Sequence, residues 1–267
     1  MMGYTIVQKS DIYIISGLLI LNSAFGSFFM PASQSYIADL TTIKKRTSAY
    51  GLLRIGGNLG WALGPAIGGI LAAVDYAFLF FFTAICMLVA GTILLRFSKE
   101  SLGKTSRQVI KKTNLKEVLS VINDRRFLIF TIICWLIFVV WGQLIYPLSI
   151  YSVNRIGITK PQLGILFSMN GIMVVLFQYL ITRVITVPGQ LTALWAGSLI
   201  YALGYAFIGL ANAYPFLIIC VIIITVAEMI VSPTALSYAS MITDENHRGR
   251  YMGFFNLSQS MAGQQHQ

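Results

Sequence analysis

Within the apolar stretches of this sequence one carboxylate stands well away from any end: Glu228, fourteen residues after Tyr214. A carboxylate so placed can take up and release a proton as its access to water changes, the chemistry a proton-coupled carrier needs. The alternative is a structural group hydrogen-bonded to a neighbouring helix. No intramembrane lysine is placed to pair with it, so Glu228 is expected to be protonated for part of any cycle. Arg54 is the complementary charge. It can bind an anionic group, pair with a carboxylate or, about two turns beyond Arg46, snorkel to phosphates at the membrane surface. Asn22, Asn58, Gln143, Tyr146, Asn170 and Gln178 are the other polar groups in apolar runs; each either lines a pathway or bonds one helix to another. No metal set, nucleophile constellation or phosphate loop is visible. Cys86, Cys134 and Cys220 sit in apolar runs, and His247 and His266 fall in a loop and a tail. The glycine run has no Lys-Ser/Thr after it, as a phosphate loop would. An enzyme is therefore not expected, and no cofactor is implied.

The elements that must carry these groups are membrane-spanning helices. The chain is 57% hydrophobic and 10% charged, with mean hydropathy +0.76, and its apolar residues fall in runs of about twenty, the length that crosses hydrocarbon. Spans are expected over 12–38, 48–74, 76–95, 127–150, 161–182, 190–211 and 214–242, with an eighth beginning near Gly249 and cut short. In the second span Gly56, Gly60, Gly64 and Gly68 recur every fourth residue and make one stripe, the small-xxx-small face on which helices approach closely in lipid. Arg54, Asn58, Trp61 and Pro65 form a second face. That helix is expected to stand between a neighbouring helix and a pathway.

Basic residues orient the spans. The links on one side carry fifteen Lys and Arg against two, Arg155 and Lys160, on the other, which places the long polar segment 96–126 in the cytosol. The net charge of +10 is thus mostly topology, and a nucleic-acid partner is not expected without a folded soluble domain. In the long segment Leu115, Val118, Leu119 and Ile122 follow i, i+3, i+4, i+7 spacing, with Asn114 and Glu117 as a capping pair. A short amphipathic helix at the membrane surface fits them. The amino terminus falls outside with no basic leader. Seven full spans and a broken eighth read as a piece of something larger, with Met1 expected to be an internal or misassigned start.

An internal repeat tells what the larger thing is. Pro31–Gly51 aligns without gaps to Pro233–Gly253, so that Pro31, Ser35, Tyr36, Thr41, Arg46 and Gly51 match Pro233, Ser237, Tyr238, Thr243, Arg248 and Gly253, each 202 residues on. Both copies run from the end of a span through a cytosolic link into the next. A parallel repeat of two six-span halves is the plan of the major facilitator superfamily, and the chain resembles a transporter of that family. Gly60-Trp-Ala-Leu-Gly64-Pro65-Ala-Ile-Gly68-Gly69 resembles the glycine-proline motif of the fifth helix of family antiporters. Asp39 and Arg46 fit the end of the family's fourth helix and the link after it, 161–183 its eighth helix, and His247–Ser260, which includes Arg248, the start of its eleventh.

The resemblance implies an all-α, polytopic, incomplete form of that fold. Residues 1–95 would be the end of an N-terminal bundle, 96–126 the cytosolic linker and 127–267 most of a C-terminal bundle. It also implies a multi-pass protein of the plasma membrane, whose expected partners are the lipid bilayer, a small-molecule substrate and a coupling ion, H+, with Glu228 in the family's tenth helix. Proton-coupled efflux by alternating access is the expected function. The alternatives are a truncated remnant that transports nothing unaided and, further off, an intramembrane enzyme.

Overall fold

The structure, a computed structural model, describes residues 12–98, 120–144, 146–185, 189–243 and 247–264. Every regular element among them is helical: α1 (Ile12–Leu40), α2 (Ile43–Val74), α3 (Tyr76–Phe97), a 3-10 turn (Ser120–Asn123), α4 (Arg125–Gly142), α5 (Tyr146–Tyr151) with a π-turn (Ser152–Ile156), α6 (Lys160–Ile185), α7 (Gln190–Gly209), α8 (Tyr214–Met241), α9 (Arg248–Gln259) and a closing π-turn (Ser260–Gln264). Five segments among the described residues are long and apolar enough to cross a bilayer: Ala77–Phe97, Arg125–Ile156, Pro161–Ile185, Gln190–Gly209 and Tyr214–Met241.

Two boundaries differ from expectation. The link expected at 40–47 shrinks to Thr41 and Thr42, because α2 starts at Ile43 and takes in Lys44, Lys45 and Arg46. Arg46 is not solvated there but buried, its guanidinium bonded to carbonyls. The span expected over 127–150 is interrupted between Gly142 and Tyr146. Pro147 accounts for the break: it has no N–H to offer the Gln143 carbonyl and its ring crowds that oxygen. Leu148 N donates to Gln143 O instead, at 3.0 Å, one residue late for an α-helix. The amphipathic helix expected from Asn114 to Ile122 lies largely outside the described residues; at its end Val121 is buried and Ile122 exposed.

The chain divides into two compact units, Met1–Met30 with Gly60–Ile110, and Pro31–Leu59 with Lys111–Gln267. In the first, the Asp75 carboxylate accepts from Ala77 N at 2.8 Å and caps α3, so a single residue suffices to turn the chain. Phe78, Phe81, Ile85 and Leu88 are exposed along α3, as on a helix that faces lipid.

The second unit is built round α8, which packs against α4, α6, α7 and α9. Over half of its most apolar stretch, 56%, is buried, and it supplies Leu217, Cys220, Val221, Ile224, Ala227 and Val231 to the core. Asp124 caps α4, accepting from Arg126 N and Phe127 N at 3.1 Å each. Two hydroxyls of α8 bond the preceding turn: Thr225 donates to Val221 O at 2.7 Å and Thr234 to Ile230 O at 2.6 Å. Such bonds let polar residues sit in apolar runs without an unmet donor.

Candidate functional site

Glu228 lies in the middle of α8, 2% exposed. It is not unpaired: Arg54 of α2 forms a salt bridge to its Oε1 through Nη2. Arg54 Nη1 also donates to the Glu228 backbone carbonyl at 3.0 Å. Of the roles open to Arg54 in the sequence, this is pairing with a carboxylate; the guanidinium, 13% exposed, points to Glu228 rather than snorkelling to phosphates. The geometry explains why an arginine serves here, since only a forked cation reaches the side chain and the backbone of one residue together.

The other carboxylate oxygen is also engaged. Asn170 of α6 donates from Nδ2 to Glu228 Oε2 at 2.9 Å and to Thr225 Oγ1 at 2.9 Å. Three helices thus converge on one carboxylate, and each oxygen faces a donor. Tyr201 and Tyr205 of α7, stacked with centroids 6.2 Å apart, lie within electrostatic reach of Glu228. Arg54 Nε is buried without a partner among the described residues, which leaves one donor of the pair unused.

The remaining candidates divide. Asn58 turns back on its own helix, donating to Arg54 O at 3.0 Å, and so steadies the turn that carries the arginine. Gln178 is fully buried and donates to Met229 O at 2.8 Å. Met229 is the residue whose carbonyl Pro233, four places on, cannot bond, so Gln178 fills a vacancy that proline makes. Gln143 is exposed in the break after α4. The side chains of Asn22, Trp61, Pro65, Gly69 and Tyr146 lie outside the described residues. Along the glycine stripe, Cβ atoms built on Gly56, Gly60 and Gly64 meet nothing within 4 Å among the described residues, and only one on Gly68 comes close, 3.3 Å from Leu79 Cδ1.

The repeated loops meet. Arg248 of α9 makes a salt bridge to Asp39 at the end of α1, and Arg46 donates to Ala38 O at 2.9 Å and to Ser240 O at 3.3 Å. Ala38 and Ser240 are themselves repeat mates, 202 residues apart, so one arginine joins the same point of both copies. Sequence reasoning missed a further contact. Gln34 of α1 and Asn256 of α9 bond each other through their amides, Asn256 Nδ2 to Gln34 Oε1 at 2.6 Å and Gln34 Nε2 to Asn256 Oδ1 at 3.2 Å. A signal existed, because Asn256 stands 202 residues after Arg54.

A helical membrane protein with a repeated helix–loop–helix unit and a buried ion pair between copies has the architecture of a secondary transporter. The profile of the Major Facilitator Superfamily matches residues 1–263. The chain belongs to that superfamily, a family of multi-pass membrane transporters and not of enzymes. Among curated relatives it is 29% identical over 169 residues to Multidrug resistance protein 2 of Bacillus subtilis, covering 61% of this chain and 42% of that protein. It is 26% identical over 260 residues to a Na(+), Li(+), K(+)/H(+) antiporter of Planococcus maritimus, covering 87% and 61%. The chain thus spans less than two thirds of the length of either relative. Its fold is similar to that of the human organic anion transporter MFSD10 (TETRAN), with a TM-score of 0.71 at 20% identity over 87% of this chain and 59% of that one.

Proposed function

We propose that the chain belongs to a proton-coupled carrier that exports small amphiphilic molecules across the plasma membrane by alternating access, with segment 96–126 on the cytosolic side. The observation that carries the reading is the Arg54–Glu228 pair. It joins α2 and α8, which flank the two copies of the repeated loop. Protonating the carboxylate cancels its charge and its attraction for Arg54, so proton uptake frees α2 from α8. Re-forming the pair expels the proton. The guanidinium released in between, with Asn170 and the two tyrosines beside it, is the polar surface offered to a substrate. The multidrug and antiporter relatives support efflux and ion exchange as the direction and the coupling.

A second reading, a chain of transporter descent that carries nothing unaided, is favoured by the 42% and 61% of its relatives that it spans. Reconstitution into liposomes separates the two. With a pH gradient imposed, the unmutated chain is expected to accumulate a fluorescent amphiphilic dye, and Glu228→Gln to lose that accumulation while still inserting and binding the dye. Accumulation by Glu228→Gln at the unmutated rate would make the carboxylate structural. No accumulation by either would support the second reading.

A further inference from the structure

We propose that Gln34 and Asn256 form a neutral latch, with Asn256 standing at the repeat position of Arg54, and that the face closed by the two repeated loops opens only when this latch parts. The proposal deepens the carrier reading and rests on it for its purpose, though not for its test.

The argument starts from the repeat. An offset of 202 residues maps Arg54 onto Asn256 and the end of α1 onto the end of α8. Arg54 leaves its own copy to bond α8 of the other; Asn256 leaves its own copy to bond α1. The same reciprocity holds one layer away, where Arg46 reaches Ser240 O and Arg248 reaches Asp39. Residues equivalent in the repeat, Arg54 and Asn256, thus each reach into the other half, though their targets differ in height: Glu228 corresponds to Gly26 and Gln34 to Leu236. One inner arm is ionic and the other is an amide.

The chemistry of the amide arm suits a latch. Each amide both donates to and accepts from the other. Gln34 is 2% exposed, and its backbone carbonyl is held by the Tyr50 hydroxyl at 2.8 Å. Asn256 Nδ2 also donates to Met252 O at 2.7 Å, which fixes the amide to its own helix. Separating a buried amide from a half-buried one strands the Gln34 donor and acceptor unless water follows. The latch therefore holds while the face is dry and lets go as it wets.

Burial of Ser240 reports the state of this face, because its carbonyl accepts from Arg46 and it is fully buried. The chain would carry Ser240→Cys, with Cys86, Cys134 and Cys220 replaced, in lipid nanodiscs, and labelling by a water-soluble maleimide would be timed. Loss of the two amide bonds in Asn256→Leu or Gln34→Leu is expected to raise the labelling rate about tenfold. The double leucine variant should label no faster than either single one, because one interaction is removed in each. The exchanged pair Gln34→Asn with Asn256→Gln keeps both bonds and is expected to label at the unmutated rate. Unchanged labelling in the leucine variants would overturn the latch. So would an exchanged pair that labels fast, since burial would then depend on side-chain shape; this arm decides the matter even if the leucine variants fail to assemble. Transport plays no part in the readout, so failure of the carrier reading leaves these results interpretable.

Discussion

An arginine and a glutamate withdrawn from water together hold each other in place by mutual need. Either alone in the interior is an uncompensated charge, and breaking such a pair by removing one partner typically destabilises a protein by about 3–5 kcal/mol, whereas replacing both is far milder. Arg54→Gln should therefore lower the unfolding temperature of the purified chain clearly, and Arg54→Gln combined with Glu228→Gln should recover most of the loss. A double variant as unstable as the two single effects added together would mean that the residues do not sense each other. Asn170 belongs to the same unit, since its amide occupies the oxygen that Arg54 leaves. Much of this site was legible in the sequence, where Glu228, Arg54 and Asn170 each stand out as polar groups in apolar runs. Their convergence was not. Arg54 and Glu228 lie 174 residues apart, and apolar periodicity within one helix carries no distance to another.

At the scale of the helix, the every-fourth-residue run of α2 meets no neighbour at Gly60 and Gly64 among the described residues. The close approach is between α7 and α8, where a Cβ on Gly197 would lie 2.6 Å from Val231 Cγ2 and one on Gly204 would lie 2.7 Å from Ile224 Cγ1. These two glycines are seven residues apart and share a buried face with Ala193 and Tyr201, a two-turn spacing that a search for GxxxG passes over. The partners are β-branched side chains with few rotamers to retreat into. Gly197→Ala or Gly204→Ala is thus expected to destabilise by about 1–3 kcal/mol through overpacking. Gly64→Ala should be neutral or slightly stabilising, because alanine favours the helix by about 1 kcal/mol over glycine. Thermal unfolding in detergent compares the three; equal behaviour would contradict the α7–α8 contact. Span positions were read well from hydropathy, whereas the break at Gly142 needed attention to Pro147, which hydropathy ignores.

For the whole molecule, the repeat and the distribution of basic residues were the most informative features of the sequence, one giving the superfamily and the other an orientation. That orientation predicts that cysteines placed at Lys104 or Lys111 react with an impermeant thiol reagent only after the cell is opened. Labelling of both in intact cells would reverse the assignment. One local feature bears on how the second unit can move. Pro233 deprives the Met229 carbonyl of its helical donor, and Gln178, from α6, provides one at 2.8 Å. An ordinary helix can slip along its neighbour and find new contacts a residue further on. Here the vacant carbonyl occurs at a single height, and a shift of one residue, about 1.5 Å of rise, carries the amide away from it with no equivalent oxygen to meet. Axial sliding of α6 past α8 is therefore disfavoured while tilting about that contact is not, and the missing hydrogen of a proline becomes a pivot.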